Sequence, residues 1–168
     1  MKVPSVVMPD IFLHSIFDVK VELLNKLGVE ALILDVDNTL RAWRSDAPVD
    51  GVLGWVHSMK SAGIKLVIAS NNFRSRVEPF AKKLELDYVF FSCKPMPFGL
   101  NKAAKKLKVS RKKIAVVGDQ IFTDVFGGNL YGFKTLLVEP FFMEKTFSFK
   151  LKRWLEQRII GNCRGKNF

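Results

Sequence analysis

The sequence predicts an α/β protein with a mostly parallel sheet covered on both faces by helices. Three observations carry that expectation. Five short β-rich runs alternate with segments of helical period, the pattern of right-handed βαβ units. No repeat, low-complexity stretch or linker interrupts the chain before Pro140, so residues 1–140 read as one domain, with 1–30 an extension packing on it. Polar residues able to do chemistry stand at the ends of the runs. In open α/β sheets, ligands bind beyond the carboxyl ends of the strands.

The elements follow in order. "ALIL" (31–34) is a buried strand. "PVDGVLGWVHSMKSAG" sets Val52, Leu53, Val56 and Met59 at helical spacing and stops at Gly63. "IKLVIAS" is a second strand. "RSRVEPFAKKL" is a helix whose Ser75 and Glu78 resemble a capping box, with Pro79 acceptable only in its first turns. "YVFF" is a strand, "FGLNKAAKKL" a helix and "KIAVVGD" a strand. "TDVFGGNLYGF" is a helix weakened by glycine, and "KTLLVEP" is a last strand stopped by Pro140.

Composition narrows the partners. Lys and Arg number 27 against 16 Asp and Glu, a net charge of +11 in 168 residues that favours anionic ligands. The two cysteines, Cys93 and Cys163, are too few for a disulfide framework, and Cys93 reads as a small buried residue. The start is broken by Pro4, Pro9 and Asp10, and no run reaches the roughly 18 apolar residues of a membrane span. The expected location is the cytoplasm, with room for peripheral contact on the inner face of a membrane.

The strand ends carry Asp35 and Asp37, Ser70 and Asn71, Cys93 and Lys94, and Asp119. Carboxylates buried without partners cost several kcal/mol or more, so such a set needs compensation. Hard oxygen ligands in an incomplete cage suit Mg²⁺, which accepts phosphate oxygens in its remaining positions. Lys94 supplies a compact positive charge and Ser70 a neutral donor. A carboxylate nucleophile, a metal, a lysine and a hydroxyl together suit phosphoryl transfer.

The text then resembles a known family. "DVDNT" matches the DxDxT signature of phosphatases in the haloacid dehalogenase-like (HAD) superfamily. "IASNN" resembles its second motif, "CKP" its third and "GDQIFTD" its fourth, all in order within residues 31–124. The resemblance implies a three-layer Rossmann-like fold in which Asp35 forms a phosphoaspartate and Asp37 is the general acid and base. It implies Mg²⁺ held by Asp35, the backbone carbonyl of Asp37 and Asp119, with Asp124 supporting the metal shell. Lys94, Ser70, Asn71 and Thr39 complete the implied substrate-binding set, Thr39 by bracing the nucleophile loop.

Many members of that superfamily insert a cap domain over the site. Here the stretches 40–70 and 71–94 hold too little chain for one, so an uncapped, open site is expected. Together with "SIFDV", the motifs resemble the YqeG-like, IIIA-type branch, which is related to the mitochondrial phosphatidylglycerophosphate phosphatases of fungi. The resemblance implies hydrolysis of phosphatidylglycerophosphate. Arg41, Trp43 and Arg44 depart from the acidic text commoner after the first motif. In residues 141–168, Phe147, Leu151, Trp154, Leu155 and Ile159 form one helical stripe, with Lys150, Lys152, Arg153 and Arg158 largely off it. Such a tail suits an anionic membrane surface, or else packs on the domain. A lipid headgroup is the expected substrate and nucleic acid is not. The alternatives are a soluble phosphatase for protein, nucleic-acid or small-molecule phosphates, and a non-enzymatic binding module on the same fold.

Overall fold

A computed structural model describes residues 4–42 and 45–141. Six parallel strands form a single sheet: β1 (Ile11–Leu13), β2 (Ala31–Leu34), β3 (Lys65–Ala69), β4 (Asp87–Val89), β5 (Ile114–Gly118) and β6 (Lys134–Val138). Their order is β1-β6-β5-β2-β3-β4. The chain runs outward from β2 through β3 to β4, then returns to the other side of β2 as β5. The switch point therefore lies between β2 and β5, where such sheets place their ligands.

Period-2 alternation explains the layers. Leu32 and Leu34 of β2 face one side, packing with α1 (Val21–Leu27), α2 (Val52–Ser61) and α3 (Arg74–Lys83) through Leu24, Trp55, Val56 and Phe80. Ala31 and Ile33 face the other, against Leu100, Ala103 and Leu107 of α4 (Pro97–Leu107). The two central strands, β2 and β5, are buried along their whole length, as a sheet covered on both faces requires.

Several local expectations change. In α2 Val52, Val56 and Met59 are buried, but the fourth inward residue is Trp55, whose indole N–H donates to the Val19 carbonyl at 2.9 Å, and Leu53 is exposed. The capping box at Ser75 and Glu78 does not form. Phe73 is the N-cap of α3, and Glu78 instead pairs with Arg74 and Lys82, one turn before and after it. Pro79 lies within α3, beyond its first turn. The glycine-weakened helix divides into a π-type turn, Ile121–Val125, followed by α5 (Phe126–Leu130).

The N-terminal segment does more than pack on the domain: it supplies the sheet's edge strand. Ile11, Phe12 and Leu13 pair with Leu136, Leu137 and Val138. A polar clip fixes the register, because the Asp10 carboxylate accepts from the Thr135 N–H at 2.8 Å and from its hydroxyl at 3.3 Å. Replacing Asp10 with Ala leaves the Thr135 N–H unsatisfied, while its hydroxyl keeps the Asn129 amide oxygen at 3.0 Å; the orphaned donor costs about 1–3 kcal/mol. Urea unfolding of Asp10→Ala is expected to show a loss of that size. An unchanged midpoint contradicts this role for the segment.

Candidate active site

Asp35 follows the last residue of β2, and its backbone N–H donates to the Val117 carbonyl at 2.9 Å, continuing the ladder. Asp119 follows β5 in the same way. Neighbouring parallel strands in register thus bring the two carboxylates together. Asp124 arrives from the π-type turn. Gly118 permits that approach: a Cβ there would stand 2.3 Å from the Asp124 carboxyl carbon. Ligand oxygens of Asp35, Asp119 and Asp124 lie within 4.8 Å of one another, all buried.

Lys94 joins the cluster from the third motif. Its ammonium donates to Asp35 Oδ1 at 2.6 Å and to Asp124 Oδ1 at 2.7 Å. Burial lowers the pKa of such an amine, but attraction to Asp124 and Asp35 outweighs it and raises the pKa above the ordinary value. Asp35 responds differently. Desolvation pushes its carboxyl up from 3.8 to about 6; Lys94 opposes the rise, while Asp124, competing for the same ammonium, adds to it. One ammonium shared by two buried carboxylates leaves this group of three with a net negative charge, and the Asp119 carboxylate lies close by.

That imbalance tests whether Mg²⁺ fits. Three convergent, buried carboxylates offer the hard-oxygen donor set that such a divalent cation takes. Asp35, Asp119 and Asp124 would hold it.

Asp37 stands at the mouth, held by two donors. Arg41 donates from Nε to Asp37 Oδ1 at 2.9 Å, and the Asn72 amide donates to Oδ2. Arg41 is fully buried, with its guanidinium 5.1 Å from the centre of the Phe80 ring. A tight turn makes this possible: the Leu40 and Arg41 N–H groups return to the Val36 carbonyl, and Asn38 adopts a left-handed φ of 60°. The text departure at Arg41 is therefore an inward ion pair. Trp43 and Arg44 fall outside the described residues.

Asp35, Asp37, Ser70, Asn71 and Lys94 line one cleft of about 340 Å³, together with Asn72, Gln120 and Thr123. Thr39 is wholly buried within the nucleophile loop. The Asn71 side chain clamps the third motif: its Oδ1 accepts from Ser92 Oγ and Lys94 N, both at 2.8 Å, and its Nδ2 donates to the Lys94 carbonyl at 3.0 Å. The neighbouring Asn72, which the sequence reading passed over, carries the amide that reaches Asp37. Cys93 is exposed rather than buried, at a φ of 53°.

The chain belongs to the haloacid dehalogenase-like hydrolase family, whose model matches residues 7–132. A curated relative, "Probable phosphatase YqeG" of Bacillus subtilis, is 35% identical over 159 residues, covering 95% of this chain and 92% of the relative. Among solved structures, an uncharacterized protein from Listeria monocytogenes superposes with a TM-score of 0.56 at 13% identity, covering 70% of this chain and 85% of that one. The D,D-heptose 1,7-bisphosphate phosphatase from B. bronchiseptica, complexed with magnesium and phosphate, gives 0.53 at 17% identity, covering 65% and 80%. These two structures share the fold.

The raised pKa of Asp35 has a signed consequence. Between pH 3.8 and about 6 the folded state binds the extra proton, so this group's contribution to stability falls as pH rises through that window. The penalty is fully present above pH 6 and is absent from Asp35→Asn. In EDTA, the stability of Asp35→Asn relative to wild type is expected to be greater at pH 7.5 than at pH 5, by about 1–2 kcal/mol. Paired urea melts at the two pH values measure this. A gap that is constant or reversed contradicts the charge imbalance.

Proposed function

We propose that this protein is a Mg²⁺-dependent phosphomonoesterase that acts through a phosphoaspartate on Asp35, with phosphatidylglycerophosphate as its substrate. One observation carries the reading: Asp35 sits beside a buried ammonium 2.6 Å away and two further carboxylates at an open cleft. Membership of a hydrolase family and similarity to a probable phosphatase support it.

A carboxylate of Asp35 attacks phosphorus while the ester P–O bond breaks, and Asp37 gives its proton to the departing alkoxide. Asp37 then takes a proton from water. The resulting attack on phosphorus breaks the Asp35–phosphate bond and restores the carboxylate. Lys94 and the Ser70 hydroxyl hold the phosphoryl oxygens, while Arg41 and Asn72 fix the plane of the Asp37 carboxylate between leaving group and water. Bound Mg²⁺ supplies charge neutralisation between the Asp35 carboxylate and the phosphate.

The lipid assignment rests on the resemblance to the YqeG-like branch and its phosphatidylglycerophosphate-hydrolysing relatives, and on the net charge of +11. The described residues insert no cap: residues 70–94 contain only α3 and β4. No helix among them is long and apolar enough to cross a membrane, so a lipid substrate would be met from the side of the bilayer. The basic tail, residues 147–159, lies outside the described residues.

Phosphate release from phosphatidylglycerophosphate, a heptose phosphate, a nucleotide and a phosphopeptide, each with Mg²⁺ and with EDTA, tests the assignment. The lipid is expected to give the highest kcat/KM, and EDTA to abolish turnover on every substrate. A higher kcat/KM for a soluble phosphate replaces the lipid reading. Asp35→Asn should lose at least about 10³-fold in kcat. Activity near wild type in that variant, properly folded, removes the mechanism.

Arg41 gives a finer test. Arg41→Met leaves Asp37 with one of its two donors. Turnover of an alkyl phosphate, whose leaving group needs a proton, should fall about tenfold or more, and that of an acidic aryl phosphate less. Equal losses on the two esters would show that Arg41 does not act through Asp37.

A further inference from the structure

Seven large apolar side chains are exposed among the described residues, and five of them (Phe73, Phe90, Phe91, Met96 and Phe98) fall in the segments that bear the second and third motifs. Phe73, Phe91 and Phe98 are 69%, 58% and 73% exposed. Their positions tie them to the cleft. Phe73 follows Asn72, and the Phe91 N–H donates to the Asn72 carbonyl at 2.8 Å, while Met96 stands two residues beyond Lys94. The Phe73 and Phe91 rings stack on each other with centroids 5.9 Å apart. Exposed apolar residues scattered singly need no explanation, but a cluster on the rim of a catalytic cleft does.

Charge surrounds this rim. From Phe90 to Gly118 the sequence holds eight Lys or Arg and no Asp or Glu. Helix α4 sorts them: Leu100, Ala103 and Leu107 are buried, whereas Phe98, Lys102 and Lys105 recur at spacings of four and three on its exposed side. The Lys102 ammonium lies 6.0 Å from the centre of the exposed Phe90 ring. Aromatic and thioether side chains at the leading edge, with long basic side chains behind them, are the arrangement that enters an anionic lipid interface.

We propose that this rim docks on an anionic phospholipid bilayer and seats the open cleft at headgroup depth. The proposal rests on the phosphomonoesterase reading of the cleft and gives it a means of reaching a lipid substrate independent of the C-terminal tail. A single-stranded nucleic acid is the poorer fit. The Phe73 and Phe91 rings each turn one face to the other, whereas single-strand binders present separate aromatic faces to successive bases.

The test uses the full chain, with its tail, and a Phe73→Ser, Phe91→Asn, Phe98→Ser triple variant. Sedimentation with phosphatidylglycerol/phosphatidylcholine vesicles should show wild type binding, and the variant binding at least about tenfold more weakly. Turnover of a soluble aryl phosphate with Mg²⁺ should stay within about twofold, which also certifies that the variant is folded. Independently, Phe98→Trp should show more fluorescence quenching by brominated lipid than wild type. Equal partitioning of variant and wild type, no added quenching, or wild-type binding to a single-stranded oligonucleotide but not to vesicles would each overturn the proposal. Absence of Mg²⁺-dependent aryl phosphate hydrolysis by wild type strikes the phosphatase reading alone, and the vesicle results decide the rim by themselves.

Discussion

The Lys94 ammonium, shared between Asp35 and Asp124, is the interaction on which the rest of the site depends. Its side chain is almost wholly buried, and breaking such a pair by removing one partner typically costs about 3–5 kcal/mol. Much of the surrounding structure holds that single charge in place. The Asn71 side chain clamps the loop before and after Lys94, and the absent side chain at Gly118 lets Asp124 come close. The parallel register of β2 and β5 puts Asp35 and Asp119 at adjacent strand ends. Two carboxylates share this one ammonium, so the cluster they form with it is electrostatically incomplete without a further cation.

This incompleteness links stability to function. A site satisfied by its own side chains would be more stable and would have nothing to offer a phosphate. Here Asp35, the group with the raised pKa, is also the one whose lone pairs the chemistry needs. Asp37 is supported separately, by Arg41 and Asn72, so the two carboxylates of the first motif have different environments although only Val36 separates them. Different surroundings suit different roles, nucleophile for one and proton carrier for the other.

Much of this was legible in the sequence because strand ends are legible. Each of Asp35, Ser70, Lys94 and Asp119 closes or closely follows a β-rich run, and a parallel sheet gathers those ends at one edge. What escaped depended on direction instead of position. Arg41 follows a strand in text but turns inward, which hinges on a left-handed Asn38 and a turn on the Val36 carbonyl. Asn71 and Asn72 are identical and adjacent, and only the chain's path decides that one clamps a loop while the other reaches Asp37. Strand β1 is three residues long and pairs with a segment more than 120 residues away, beyond any local pattern. Nothing in the text marks Phe73, Phe91 and Phe98 as exposed, and their exposure appears only once the core is seen to close without them.

Mg²⁺ binding to the resting protein tests the central claim most directly, through thermal unfolding of metal-free wild type across a Mg²⁺ titration. If the three buried carboxylates are a site for a divalent cation, the melting temperature should climb with concentration as mass action requires, and Asp119→Asn should flatten the curve. A melting temperature indifferent to Mg²⁺ up to about 10 mM would contradict it.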